Sequence, residues 1–139
     1  MGCHANLLTN LDVSKNMELT ELVCSINKLT SLDVSKNIKL GQLRCDDNQL
    51  TNLDLSVNTK LKALICCNNQ LTSVDISNKT TVLNYLNCSN NQLSAVALNA
   101  LFEMLHSVTW GDLYITDNYG INDCNQSIAI SKGWIINTY

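Results

Sequence analysis

The 139 residues are 45 % hydrophobic and 15 % charged, an ordinary globular composition, and a net charge of −3 leaves no basic footprint for nucleic acid or an anionic membrane. No apolar run approaches the roughly 18 residues of a membrane span. The absence of proline, with only 5 glycines, excludes collagenous and Pro-rich segments, and the opening Met-Gly-Cys-His-Ala-Asn has neither the charged nor the apolar region of a signal peptide.

From Cys3 onward the chain repeats every 21 residues in the pattern L-x-x-L-x-C-x-x-N-x-L-T-x-L-D-V-S-x-N. Cys3, Cys24, Cys45 and Cys66 keep that step, and Cys88 follows at 22, so one residue is inserted near Thr80–Val82. Asn6, Asn27, Asn48, Asn69 and Asn91 recur with them, as do Leu8, Leu29, Leu50, Leu71 and Leu93. A second set, Asp12, Asp33, Asp54 and Asp75 with Ser14, Ser35, Ser56 and Ser77, lies between. A fixed period of this kind identifies a solenoid of stacked coils. Cys3 already stands in the middle of a repeat, so the first coil is incomplete and the chain reads as a piece of a longer protein. Its first coil, with Leu7 and Leu8, is expected either to pair with a second copy as a head-to-head homodimer or to be covered by upstream repeats in the parent protein.

Each coil divides into two half-turns, Leu19-x-x-Leu22-x-Cys24-x-x-Asn27 and Leu8-x-x-Leu11-x-Val13-x-x-Asn16. Both alternate apolar and polar residues over a few positions, the period of a half-buried strand, and both are too short for a helix plus a turn. The expectation is a short strand on one side and an extended or short-strand segment on the other. At the corners between them, the amides of Asn27, Asn48 and Asn69 can satisfy orphaned backbone groups and form an internal ladder. Lys79 departs from the second Asn series.

After residue 93 the period breaks. Ser94 is positioned to cap a helix whose Leu98, Leu101, Phe102 and Leu105 share one face. Leu113-Tyr114-Ile115-Thr116-Asp117-Asn118 then repeats L-x-C-x-x-N with Ile in the Cys position. Asp123 is expected to cap a short helix through Ile128 and Ala129, Gly133 to end it, and Trp134–Asn137 to form a last strand that closes this end. The organisation is thus repeats over 1–93 and a C-terminal cap over 94–139.

The repeat pattern matches the leucine-rich-repeat consensus and, more closely, resembles the 21-residue cysteine-ladder repeats of bacterial surface proteins of the internalin J-like, adhesin type. Leu50-Thr51-Asn52-Leu53-Asp54-Leu55-Ser56 and Leu64-Ile65-Cys66-Cys67-Asn68-Asn69 carry the resemblance, which extends over residues 3–93. It implies an α/β leucine-rich-repeat solenoid, horseshoe-like, mostly β with parallel strands and an α/β cap. It further implies a secreted or cell-surface protein that binds a macromolecule, a protein or a glycan, with no catalysis and no cofactor. A structural spacer in a larger surface protein, or an accessory repeat region of an enzyme, are the alternatives.

The side chains available for chemistry agree with a binding role. Equivalent cysteines in adjacent parallel coils stand about 4.8 Å apart with parallel Cα–Cβ vectors, unsuited to a disulfide or a tetrahedral zinc site, so buried reduced thiols are expected. Cys67 follows Cys66 and points to the opposite side, where the carboxylate of Asp46 would raise its pKa. His4 and His106 belong to opposite ends of the chain, and His106 would sit at a helix C-terminus that favours a cation. The Asp column lacks the close spacing that gathers ligands around calcium, so hydrogen bonds from nearby Ser, Thr or backbone donors are preferred to a metal. Asn78 and Asn125 begin short sequons.

If the Cys strand lines the concave side, its outward residues form columns. One is Val23, Arg44, Ile65, Asn87 and Tyr114; another is Glu21, Gln42, Ala63, Tyr85 and Asp112; a third is Ser25, Asp46, Cys67, Ser89 and Thr116. The framework repeats and the columns vary, and Tyr and Arg are types enriched at interfaces. Glu21, Val23, Gln42, Arg44, Asp46, Ile65, Cys67, Tyr85, Asn87 and Tyr114 are therefore the candidate binding residues.

Overall fold

A computed structural model describes residues 1–76 and 81–138, and the elements in it follow the two half-turns of each repeat. In chain order they are β1 (Glu21–Val23), β2 (Gln42–Arg44), β3 (Asp54–Leu55), β4 (Ala63–Ile65), β5 (Asp75–Ile76), β6 (Tyr85–Asn87), α1 (Ala95–Met104), β7 (Gly111–Tyr114), α2 (Ser127–Ser131) and β8 (Trp134–Asn137). Strands from the Cys half-turn form a six-stranded parallel sheet in the order β1-β2-β4-β6-β7-β8, and β3 and β5 from the other half-turn form a second, two-stranded parallel sheet. A bridge from Gly2 to Val23 extends the larger sheet by the first coil.

The register follows the repeat. Leu22 pairs with Leu43, Leu43 with Leu64, Leu64 with Leu86 and Leu86 with Leu113, and every one of these leucines is fully buried. Val34, Leu55, Val74 and Ile76 meet them from the other half-turn, and Cys24, Cys45, Cys66 and Cys88 fill the same core. Each fully buried Leu contributes about 1.5–3 kcal/mol, so the one-per-strand row supplies much of the cohesion between coils.

Two corners turn each coil, and asparagine stitches both. At the first, Asn48 Nδ2 donates to the carbonyls of Cys24, Cys45 and Asp46, and its Oδ1 accepts from Leu29 N at 3.0 Å. Asn27, Asn69, Asn91 and Asn118 repeat this arrangement, which is the internal ladder expected from the sequence. At the second corner Asn37 Nδ2 donates to Val13 O and Asn16 O, and Asn58 Nδ2 to Val34 O and Asn37 O. These two side chains are fully buried, yet their Oδ1 atoms accept no hydrogen bond. Ser77, Asn78, Lys79 and Thr80, the first residue of the stretch expected to hold the insertion, lie outside the described residues.

The C-terminal segment continues the sheet. Ser94 Oγ accepts from Ala97 N and starts α1, whose Leu98, Leu101 and Phe102 are buried. Two expectations are corrected here. Asp123 does not cap α2: the capping position is Gln126, already helical in φ and ψ and making no side-chain hydrogen bond, while Asp123 N is used in a turn on Gly120 O. The cation at the end of α1 is Lys132, whose Nζ donates to Phe102 O at 2.9 Å and Glu103 O at 2.7 Å; burial instead lowers the pKa of His106. The last strand has the bounds expected for it, as β8, which pairs with β7 and is the outer strand among the described residues, with Ile135 exposed. Gly133, at φ +88°, does end α2 and leads into β8.

Candidate ligand face

Strand alternation sends Leu22, Leu43, Leu64, Leu86 and Leu113 inward and their neighbours outward, so the outer side of the six-stranded sheet collects the non-repeating residues. Two of the columns read from sequence are set by the strand register: Val23–Arg44–Ile65–Asn87–Tyr114, continued by Asn137, and Glu21–Gln42–Ala63–Tyr85–Asp112, continued by Ile135. The third follows from backbone bonds that tie each loop after the strand to the next, Ile26 N to Asp46 O, Asp47 N to Cys67 O and Asn68 N to Ser89 O. Glu21 and Arg44 are exposed; Val23, Gln42, Ile65, Cys67, Tyr85, Asn87 and Tyr114 are half-buried.

Asp46 differs from the rest. It is 8 % exposed, and its Oδ1 accepts a 2.6 Å hydrogen bond from the buried Ser25 hydroxyl while Arg44 Nε stands 3.9 Å away. These three line a notch of about 200 Å³ together with His4, Val23 and Ile26. Further along the sheet the rings of Tyr85 and Tyr114 approach to 5.5 Å at a 40° tilt, and burial raises the pKa of the Tyr85 hydroxyl. The sequence placed Asp46 in a column without disclosing its burial, and it gave no hint that the two tyrosines would touch.

A rim borders this face where the chain leaves each strand. Ala5, Ile26, Asp47, Asn68, Asn90 and Asp117 occupy equivalent positions, all with φ between +49° and +56°. Asp and Asn tolerate that region; a β-branched residue does not. Asn68 donates to Asp47 Oδ1 and Asn90 to Asn68 Oδ1, both at 2.8 Å, a side-chain ladder along the edge.

The thiols are arranged for packing. All seven cysteines are free, and Cys24, Cys45, Cys66 and Cys88 are buried. Burial pushes Cys24 and Cys88 up to about 12 and Cys45 and Cys66 well above the ordinary value. Cys67 rises to about 11, first through burial and then through the Asp46 and Asp47 carboxylates; the sequence argument had named the carboxylate alone. Cys124 is half-buried with Sγ donating to Ile121 O, and Cys3 is half-buried in the first coil.

On the opposite side Asp12, Asp33 and Asp54 each use Oδ1 to accept the backbone N–H of Ser14, Ser35 and Ser56. Hydrogen bonds from these serines, the hydroxyl first at Asp12 and the backbone N–H first at Asp33 and Asp54, hold the three carboxyls below the usual range. Among the described residues, no three His, Cys, Asp or Glu side chains are grouped to hold a metal ion.

The chain matches no family model, and no curated protein sequence matches it. A solved structure described as the functional domain of InlJ from Listeria monocytogenes, which includes a cysteine ladder, is similar to it, with 28 % identity and a TM-score of 0.47. That similarity covers 99 % of this chain and 38 % of the other, so the chain spans well under half the length of that structure.

Proposed function

We propose that this chain is a leucine-rich-repeat solenoid, horseshoe-like, that serves as a non-enzymatic binding module of a bacterial secreted or cell-surface protein. Its ligand, a protein or a glycan, would lie on the outer side of the six-stranded sheet. The observation that carries this reading is the contrast between the two sides of each strand. Inward positions repeat Leu and Cys coil after coil, whereas the registered outward columns present Glu, Gln, Ala, Tyr and Asp or Val, Arg, Ile, Asn and Tyr, and among the described residues no other element is paired across them. The burial of the ladder thiols, with their raised pKa values, fits an oxidising exterior, since reaction needs an accessible thiolate.

The test is capture of a binding partner from host or bacterial surface extracts by the intact chain, repeated with Arg44→Glu and Tyr85→Ala on the sheet and Lys36→Glu on the opposite side. Loss of the same partner with both sheet variants and retention with Lys36→Glu is expected. Undiminished capture by the sheet variants overturns the assignment and favours a spacer.

We also propose that two copies of this 139-residue chain associate head-to-head through the first coil, the alternative being that upstream repeats cover that coil in a longer parent protein. Met1 and Cys3 bond to β1 through Val23 N and Val23 O, their outer edge is unpaired among the described residues, and Leu7 is 76 % exposed.

A further inference from the structure

Resting on the reading of the sheet as a ligand face, we propose that the notch around Asp46 is the anchoring subsite for a neutral saccharide chain. The rest of that chain would run across the strands to the Tyr85–Tyr114 pair.

Asp46 keeps hydrogen-bonding capacity that its neighbours in the sheet do not use. An ionised carboxylate offers about four acceptor sites. Asp46 is 8 % exposed, and among the described residues its side chain accepts one hydrogen bond, from Ser25 Oγ; Arg44 Nε at 3.9 Å is too far to donate. The carboxylate lines the notch with acceptor sites left for whatever occupies it, and the neighbouring guanidinium has donors to spare. The group that answers both at once must donate to Asp46 and accept from Arg44, and a hydroxyl does this.

Charge narrows the class further. A ligand cation drawn to Asp46 meets Arg44, and a ligand anion drawn to Arg44 meets Asp46. An uncharged, hydroxyl-bearing ligand satisfies the pair without repulsion. The apolar walls, Val23 and Ile26, suit the C–H face of a sugar ring. At about 200 Å³ the notch is smaller than the roughly 300–1,000 Å³ of pockets that enclose a drug-sized ligand, so it takes one ring and leaves the remainder on the open sheet.

The path beyond the notch has matching chemistry. Register places Ile65, Asn87 and Tyr114 one, two and three strands from Arg44, the last about 14 Å away. Gln42, Asn87 and the two tyrosines present amides, hydroxyls and aromatic faces, and none of them is charged. Ile26 adds an independent sign. Its φ of +56° disfavours a β-branched residue, and the equivalent positions Asp47, Asn68 and Asn90 carry the residue types this backbone prefers. Yet Ile26 is 54 % exposed and lines the notch, an apolar group kept at a conformational cost.

The experiment presents the intact chain with an array of neutral oligosaccharides bearing glucose, galactose, mannose or N-acetylhexosamine. Sialylated and sulfated glycans and lysine-rich and glutamate-rich peptides are included, and the strongest neutral hit is then titrated by calorimetry. Asp46→Asn, which keeps the shape of the side chain, is expected to weaken binding tenfold or more, Ile26→Asn and Tyr114→Ala several-fold, and Asp54→Asn on the opposite sheet not at all. Circular dichroism and the thermal midpoint verify that each variant is folded. A blank neutral array, binding confined to charged glycans or peptides, or equal affinity for Asp46→Asn overturns the proposal. If partner capture from extracts still depends on Arg44 and Tyr85 while the neutral array is blank, this subsite fails and the ligand face stands.

Discussion

A single asparagine per coil does more than any leucine to fix where the chain turns, because it satisfies backbone groups that the corner removes from the ladder. Asn48 makes three donated bonds and one accepted bond, all buried; Asn58 makes two donated bonds and leaves its Oδ1 without a partner. Asn48→Ala is therefore expected to cost about 1–3 kcal/mol and Asn58→Ala less, with Arg44→Ala on the exposed sheet within about 0.5 kcal/mol. Urea midpoints of the three variants check the order. Equal shifts for Asn48→Ala and Arg44→Ala would remove the ladder from the account of stability. Ile26 runs the other way: Ile26→Asn places a residue suited to φ +56° and is expected to stabilise by about 1 kcal/mol in the same measurement.

Among the elements, α1 depends on a close approach that its own sequence does not reveal. A Cβ on Gly120 would stand 1.9 Å from Ala95 N at the start of the helix, so Gly120→Ala must push the helix off the loop beneath it. A cost of about 1–3 kcal/mol or more is expected from overpacking, seen as a lowered thermal midpoint. Gly133 combines φ +88° with a Cβ position 2.1 Å from Val108 O, so Gly133→Ala should be similarly harmful, whereas Gly41→Ala, with only ordinary contacts at 3.6 and 3.7 Å, should be nearly neutral. At the other end of α1, Lys132 bonds two carbonyls, and Trp134 Nε1 donates to His106 O, so residues far along the chain hold the helix down.

Taken together, the stacked thiols give the whole molecule a characteristic pH response. Their folded pKa values lie above the unfolded value near 9, so the neutral thiol is the form that folding favours. Their contribution is complete below about pH 9 and is lost as pH rises toward 12, by about 1.4 kcal/mol per thiol per pH unit once the unfolded chain is ionised. Unfolding midpoints should therefore fall steeply above pH 9, and a Cys45→Ala, Cys66→Ala pair should flatten that slope even while lowering stability at neutral pH. At the acid end the sign reverses. The depressed carboxyls of Asp12, Asp33 and Asp54 stabilise above their unfolded value of 3.8 and lose that contribution as pH falls through their lower folded values. Thiol labelling of the native chain should reach half-buried Cys67, Cys124 and Cys3 first and the four buried thiols only on unfolding. For the association proposed at the first coil, sedimentation should reveal a dimer that Leu8→Lys weakens. Because the outer edge of β8 is unpaired among the described residues, mass that grows without limit on raising the concentration would replace the closed dimer with a head-to-tail chain.

The periodic part of this protein was legible from its residues because every coil poses the same local problem: Leu and Cys at alternate positions give a strand, and Asn three residues after Cys gives the corner. Repetition at 21 residues then forces parallel stacking in register, so the columns of the candidate face could be written down before any coordinate. The helix start at Ser94 was equally local. What tertiary structure alone decided lies between residues distant in sequence or at the ends of the stack. Gln126 rather than Asp123 precedes α2 because Asp123 is spent on a turn, and Lys132 reaches back about a turn of the stack to end α1. Asp46 and Arg44 share one strand and its following loop, but the burial of that carboxylate is set by Ser25 one coil earlier and by the wall that Ile26 and His4 complete. A pattern states which side of the sheet a residue occupies; how deeply it is buried there, and what it is left short of, depends on its neighbours in the stack.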